Sequence, residues 1–403
     1  MTQFDATKLL SRRTAAVEEA AIIRMAQKAR DLRAAGRDVV SLTIGEPDFD
    51  TPSHIQAAAS EAMRNGFTHY APVAGFPDLR AAIAAKLKRE NDLDYGPNDI
   101  VLANGAKQAI TNAVFALVEE GDEVILLAPY WIAYEGIVRM AGGTPVVLSS
   151  TIEEGFKVPA SQLGESIGPR TKLIFINSPN NPSGAVYSRE ELAAIAEAIQ
   201  DHPQVMVVAD EIYEHISFDG ASASIASLPG MRDRTVTING FSKAFAMTGW
   251  RLGYSAAAEP VARAMAKVQG TFTAGANAFV QRAAIAALAN GSSDVRRMRD
   301  IYRQRREIVV DSLRSMPGIR VLEPAGTFYV FPDVSFYLGR RAGNHVIDTV
   351  DRLCDWLIDF HDVATVPGTA FGTGACIRLS FAASDTDLRR GLDRLGAALQ
   401  ELQ

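Results

Sequence analysis

The sequence predicts a layered α/β domain built on a mostly parallel, buried sheet, followed by a smaller α+β domain, and three observations carry that reading. Lys172 to Ile176, Val205 to Val208 and Thr235 to Ile238 are short runs rich in aliphatic or β-branched residues. The first two lack strict polar alternation, as strands covered by helices on both faces should. Helix candidates at 106–119 and 131–141 alternate with the strand-like Glu123–Leu127 and Thr144–Leu148, which is the rhythm of α/β units with sites at strand ends. Beyond Gly291 that rhythm stops. At 403 residues the chain is long enough for two or three such units.

Residues 15–36 read as an amphipathic helix, with Val17, Ala21, Met25, Ala29 and Leu32 at helical spacing and Gly36 as the stop. Val39, Val40, Leu42 and Ile44 form a short extended run into Gly45-Glu46-Pro47-Asp48, where Pro47 forbids a helix. Two further helices are predicted at 53–65 and 76–90. In the last quarter a long helix is expected over Asp294–Leu313, then short strands around Ile319–Val321 and Phe328–Phe331. A helix around His345–Phe360, a strand at Cys376–Ser380 and a helix at 385–402 complete it. The expected division is an N-terminal segment, 1–48, joining the small domain; a large α/β domain, 49–292; and a small α+β domain, 293–403.

Composition narrows the function. Hydrophobic residues make up 47%, charged residues 22%, and the net charge is −6, with no long basic tract. The arginines at 296, 297, 299, 303, 305 and 306 are interspersed with acids and read as a solvated helical face, so no nucleic-acid partner is expected. Cys354 and Cys376 lack metal-ligand spacing and lie among apolar residues, which points to buried free thiols and no metal site. The first ten residues are polar, and no run reaches the ~18 apolar residues of a membrane span. A cytoplasmic protein with no membrane partner is expected.

The most informative segment is Asn239-Gly240-Phe241-Ser242-Lys243, continuing to Thr248-Gly249-Trp250-Arg251-Leu252-Gly253. A lysine among small and apolar residues loses solvation, which lowers its pKa and frees the amine for Schiff-base chemistry. A lone lysine is more often on a helix surface, but Ser242 and Arg251 add donors for an anion. Asp210-Glu211-Ile212-Tyr213 follows a predicted strand, and an acidic pair there is by itself more often a helix N-terminus. Asn177-Ser178-Pro179-Asn180-Asn181-Pro182-Ser183-Gly184 is a rigid polar turn. Asn104-Gly105-Ala106-Lys107-Gln108 opens a helix, where successive N–H groups can seat a phosphate. Arg378 interrupts the apolar run Ile377-Arg378-Leu379-Ser380, where an unpaired charge would be costly and a structural salt bridge is the alternative to a binding role.

Taken in this order the segments resemble the class I and II aminotransferases, fold-type-I pyridoxal-phosphate enzymes, and most closely their bacterial aspartate-aminotransferase-like branch. The likeness runs from about Leu10 to the last helix and implies a mostly parallel seven-stranded sheet. It implies pyridoxal 5′-phosphate as cofactor, held covalently by Lys243, with Asp210 on the pyridine nitrogen and Tyr213 and Asn181 toward the ring oxygen. Ser242, Arg251, Gly105, Ala106 and Lys107 would meet the phosphate, and Trp131 would stack on the ring. Arg378 would clamp the substrate α-carboxylate, with Gly45 on its other side. Trp131 and Asn181 would also border the substrate, and Lys107 could alternatively address a substrate side-chain carboxylate. Tyr70 would cross to the neighbouring subunit's cofactor phosphate, which makes the expected assembly a homodimer with shared sites.

The implied reaction is ping-pong transfer of an amino group from an L-amino acid to a 2-oxo acid such as 2-oxoglutarate, with Lys243 as base and then acid. Aspartate or a related amino acid is the expected donor, with aromatic or apolar ones as further candidates. Gly240 stands where some relatives carry a hydroxyl residue, and Ala20, Ala21, Ile22 and Ile23 replace the branch's Ser and Thr near the substrate. Thr271-Phe272-Thr273 and Gly326-Thr327-Phe328-Tyr329 are expected to line the pocket. Two other readings share the fold: a β-lyase acting on cysteine conjugates and a non-catalytic regulatory protein. A Rossmann-type nucleotide binder is disfavoured by the lack of a strand–GxGxxG–helix unit or a P-loop.

Overall fold

In the computed structural model, which describes residues 9–15, 17 and 21–403, seven strands form one sheet. Their spatial order is Ile100–Ala103, Gly253–Ala256, Thr235–Gly240, Met206–Asp210, Thr171–Asn177, Glu123–Ala128 and Thr144–Ser149. All neighbours are parallel except Gly253–Ala256, which runs antiparallel to both of its partners. The mostly parallel sheet expected from the aliphatic runs is therefore present.

Strand side chains alternate between faces, and each face finds its own helices. Val124, Leu126, Phe175 and Val208 pack with Ile110 and Val114 of the Ala106–Leu117 helix and Met265 of the Glu259–Phe272 helix. Ile125, Ile174, Ile176 and Val207 pack on the other side with Leu163, Leu192 and Ile195. Both faces are dry, so these strands needed no polar alternation. At the Ile100–Ala103 edge, the helices Ser53–Arg64, Pro77–Asn91 and Ala278–Asn290 build a further core.

A second core surrounds a three-stranded antiparallel sheet of Val366–Pro367, Ile377–Ser380 and Tyr329–Val330. The Ser292–Arg314, Val350–His361 and Asp385–Gln400 helices cover it. The N-terminal chain joins this region: Val40–Ser41 pairs in parallel with Val363–Ala364, and Ser380 N–H donates to the Leu42 carbonyl at 2.8 Å.

Several expectations need correction. The helix expected over 15–36 is Arg12–Ala15 and, separately, Ala21–Ala34, with Val17 outside both; residue 16 and residues 18–20 lie outside the described residues. Around Ile319–Val321 only Arg320 bridges, to Asp333, because Gly318 turns the chain before it and Pro324 follows. The helix expected over His345–Phe360 starts at Val350, where the Thr349 hydroxyl caps Arg352 N–H; His345–Ile347 is instead half of a hairpin with Arg340–Ala342. Arg305 and Arg306 are not solvated. Helical spacing turns them inward, where Arg305 pairs with Asp48 and Asp385 and Arg306 with Glu323. Ile100–Ala103 and Gly253–Ala256 had not been anticipated as strands; the second reads Gly-Tyr-Ser-Ala, with no aliphatic signature. Cys354 and Cys376 are buried and unpaired, as expected. Among the described residues, no helix is long and apolar enough to cross a membrane.

Gly253 locks the antiparallel strand against the start of the Ala106–Leu117 helix: a β-carbon there would lie 2.5 Å from Ala106 N and 2.7 Å from the Gly105 carbonyl carbon. Both obstacles are backbone and cannot swing away. Gly253→Ala is expected to destabilise the protein by about 1–3 kcal/mol, read as a lower urea midpoint at unchanged slope; an unaltered midpoint would contradict this packing.

Candidate active site

The strands Met206–Asp210 and Thr171–Asn177 end side by side, and their last residues, Asp210 and Asn177, are in register. Parallel strands with helical crossovers gather such ends at one edge, and a cavity of about 450 Å³ opens there. It is closed from the other side by Thr43–Glu46 of the N-terminal chain and by Tyr329 and Arg378 of the small sheet.

Asp210 is 3% exposed. The Tyr134 hydroxyl donates to its Oδ2 at 2.6 Å, and Ile212 N–H reaches its Oδ1 at 3.3 Å. Burial pushes the carboxyl up to about 6, with those two donors and the Lys243 charge opposing. The Asn177 side chain fixes the turn by donating to the Asp210 carbonyl at 2.9 Å while accepting from Asn181 N–H at 2.8 Å. No helix starts at Asp210-Glu211; the segment is a turn that puts the Tyr213 hydroxyl 3.1 Å from that of Tyr329.

Lys243 follows the strand Thr235–Gly240, and its Nζ donates to the Gly45 carbonyl. Burial depresses the amine to about 8; Glu46 opposes this, while Arg378 and Arg251 add to it. Arg378 is 1% exposed; its Nη1 donates to Asn181 Oδ1 at 3.0 Å and its Nη2 to the Thr43 carbonyl at 2.8 Å. The guanidinium lies 4.3 Å from the centre of the Tyr329 ring. Among the described residues no carboxylate pairs with it, so a structural salt bridge is not what holds this charge there.

Arg251, with φ of 55°, donates to the Thr248 and Asn104 carbonyls at 3.0 and 3.3 Å. Gly105, with φ of 85°, passes under it: a β-carbon there would lie 2.4 Å from the guanidinium. The same crowding explains Gly240, where a β-carbon would meet Gly253 Cα at 2.8 Å, so a hydroxyl side chain has no room. Lys107 Nζ stands 4.8 Å from the centre of the Trp131 ring, and burial lowers its pKa, with Arg251 adding to the effect.

Of the anticipated residues, Gly45, Ala106, Lys107, Trp131, Asn181, Asp210, Tyr213, Ser242, Lys243, Arg251 and Arg378 all line this cavity. Gly105 lies directly behind it. Tyr70 does not enter it and is 96% exposed. Among the residues expected to line the pocket, Tyr329 and Ile22 do so. Thr271, Phe272 and Thr273 do not line it; they close the Glu259–Phe272 helix on the outer surface. Ala20 lies outside the described residues. Tyr134 was not foreseen, although its spacing of three from Trp131 on a helix start puts both rings over the sheet edge, 5.5 Å apart.

The residues suit a phosphate-bearing pyridine aldehyde. A buried carboxyl near neutrality meets a ring N–H, a depressed amine can bond an aldehyde, and the helix start at Ala106 with Arg251 offers anion donors. Arg378 lines the cavity, and its Nε is buried without a hydrogen-bond partner among the described residues, so the guanidinium keeps unused donor capacity, as carboxylate binding requires.

Comparison with known proteins agrees. The family model for aminotransferase class I and II matches residues 37–395. A bifunctional aspartate aminotransferase and glutamate/aspartate-prephenate aminotransferase of Petunia hybrida is 45% identical over 395 residues, 97% of this chain and 82% of that one. An aspartate/prephenate aminotransferase of Cereibacter sphaeroides is 43% identical, over 96% of this chain and 98% of its own. Among solved structures, the aspartate aminotransferase of Rhizobium meliloti superposes with a TM-score of 0.95 at 38% identity, covering 98% and 99% of the two chains. That of Thermus thermophilus with maleate gives 0.91 at 41%, covering 96% and 99%. Sequence, fold and cavity therefore converge: the chain belongs to the class I and II aminotransferases, pyridoxal-phosphate enzymes of fold type I.

Proposed function

We propose that this enzyme transfers the α-amino group of aspartate, or of a dicarboxylic amino acid related to it, to a 2-oxo acid such as 2-oxoglutarate. The observation that carries this is the cavity's charge pattern. Arg378 stands at one side as an uncompensated carboxylate receptor, and Lys107 beside Trp131 offers a second cation. The names of the Petunia and Cereibacter relatives, which include aspartate and prephenate, support it. Ile22 adds an apolar side chain to the cavity wall, which suits an apolar portion of the substrate.

Pyridoxal phosphate, when bound, supplies an aldehyde and an electron-withdrawing ring. Asp210 would hold the ring N–H, with Tyr134 and the Ile212 N–H keeping the carboxylate in place and Asn177 fixing its backbone. Tyr213 and Asn181 would donate to the ring oxygen, and Trp131 would cover the ring face. Ser242, Arg251 and the N–H groups from Gly105 to Lys107 would hold the phosphate. Arg378 and Gly45 fix the donor's α-carboxylate, which orients the Cα–H bond toward Lys243. Nζ of Lys243 takes the α-proton and holds it for redelivery, a task suited to an amine depressed toward neutrality. Thr43 and Asn181, already bonded to Arg378, hold the clamp so that little ordering remains to be done on binding.

The enzyme is further proposed to be a cytoplasmic homodimer in which Tyr70 reaches the partner's phosphate site. Tyr70 at 96% exposure and Phe272 at 60% support a face that is covered on assembly, and the free thiols suit a reducing compartment.

The decisive experiment incubates cofactor-loaded protein with single amino acids and follows the cofactor's conversion to its amino form by absorbance. Aspartate should react fastest, and Lys107→Gln should slow dicarboxylic donors at least tenfold more than apolar ones. Release of pyruvate and ammonia from cysteine conjugates without an oxo acid would instead favour the lyase reading, and unchanged multiple turnover by Lys243→Ala would sink the assignment of that residue. A second prediction concerns pH. Below about 8 the Lys243 amine carries a proton and has no lone pair, so uptake of the aldehyde cofactor by apoprotein should rise with pH to about 8 and level off; a rise continuing past 10 would indicate an ordinary lysine. The third uses two inactive parents. Mixing Lys243→Ala with Tyr70→Ala subunits creates hybrid dimers with one intact site, so random reassortment should restore about a quarter of the sites. No recovery would place Tyr70 outside the partner's site.

A further inference from the structure

Outside the residues that line the cavity lies a buried charge cluster that the reaction as described does not use. Lys86, 2% exposed, comes from the Pro77–Asn91 helix and pairs with Glu214, whose side chain is 8% exposed. Asn91 of the same helix donates to Glu214 Oε2 at 2.5 Å, and Lys86 also donates to Asn91 Oδ1 at 2.7 Å. Glu90 lies 3.5 Å from Lys86, and His215 lies 3.5 Å from Glu214 and 3.2 Å from Glu90.

Glu214 also accepts from Asn239 Nδ2 at 2.7 Å, and Asn239 Oδ1 in turn accepts from Gly240 N–H at 2.7 Å. That link adds a side-chain contact to the backbone bond, Glu211 N–H to the Ile238 carbonyl at 2.9 Å, that joins the two segments where they leave the sheet. Glu214 is the residue after Tyr213 and four after Asp210; Asn239 and Gly240 end the strand from which the chain turns to Ser242 and Lys243. An ionised carboxylate at this depth persists only if several donors meet it, and here every donor belongs to one helix or to the lysine-bearing segment. The position of the proton-moving amine is thereby tied to the position of the pyridine-facing carboxyl.

We propose that Glu214, held by Lys86 and Asn91, is a positioning residue for catalysis that sets Lys243 relative to Asp210 and Tyr213 through Asn239. It touches neither substrate nor cofactor. The inference rests on the roles proposed above for Lys243 and Asp210.

Asn239→Ala in the holoenzyme cuts the link and leaves Glu214 paired with Lys86 and Asn91, so no buried charge loses its partner. Expected are an unchanged far-ultraviolet spectrum, a KM for the amino donor within about twofold, and a kcat lower by about ten- to a hundredfold, as misplacement of a reacting group produces. The induced circular dichroism of the bound cofactor, which reports ring orientation, should change in amplitude. Asn239→Leu keeps the volume of the side chain while removing its polar atoms, and should match Asn239→Ala in kcat and in that signal. Parental kcat and induced signal in either variant would overturn the proposal. Failure of the underlying reading is seen separately, as turnover surviving Lys243→Ala.

Discussion

A guanidinium with 1% exposure has to be accounted for, and the way Arg378 is accommodated organises much of this molecule. Removing that charge from water is tolerable only where fixed dipoles replace the hydration. The replacements come from three separate parts of the chain. Thr43 contributes a carbonyl from the N-terminal segment, Asn181 a side-chain oxygen from the turn beside the large sheet, and Tyr329 a ring face from the small sheet. The charge thus holds the small sheet, the N-terminal chain and the large sheet's edge to a common point, and that point is the wall of the cavity. Because no carboxylate among the described residues neutralises it, its field remains available to an incoming one.

The opposite wall depends on the same economy of buried charge. Asp210 and Lys243 stand at adjacent strand ends, and desolvation moves each toward its neutral form, the acid up to about 6 and the amine down to about 8. Groups shifted in this way are poised to exchange protons near neutrality. A parallel sheet brings such ends together because every crossover helix returns the chain to the same edge. The antiparallel Gly253–Ala256 strand departs from that pattern and has a different use. It brings Arg251 to the helix start at Ala106, so that one strand end and one helix end share the anion-binding corner.

The central lysine, aspartate, asparagine and arginine were legible in the sequence because each lies in a short contiguous motif whose residue types are unusual in their setting: an arginine in an apolar strand, or a lysine among small residues before Gly249. The Lys172–Ile176 and Val205–Val208 strands were legible for a related reason, since burial on both faces leaves an uninterrupted aliphatic run. Tyr134 was missed because its partner, Asp210, is seventy-six residues away, and nothing local marks a buried tyrosine as a donor to a carboxylate. Gly253–Ala256 was missed because small residues were selected there by contact with the Gly105–Ala106 backbone rather than by strand propensity. Arg305 and Arg306 read as solvated from sequence because their acidic partners, Asp48, Asp385 and Glu323, are remote or lie beyond the helix. Thr271–Thr273 were drawn into the pocket by sequence pattern, whereas the packed helix before them carries them to the outer surface.

By itself, then, the sequence determined the chemistry: which residues can bear a proton, bind an anion or end a strand is a property of residue type and immediate neighbours. It also determined the parallel α/β plan, because hydrophobic periodicity is a local pattern with a global consequence. Only the tertiary structure decided which charges lose their water and what replaces it. Desolvation depends on segments far apart in the chain meeting in space, and it is that meeting which turns Lys243 from one lysine among several into an amine depressed to about 8, within reach of the Asp210 and Arg378 charges.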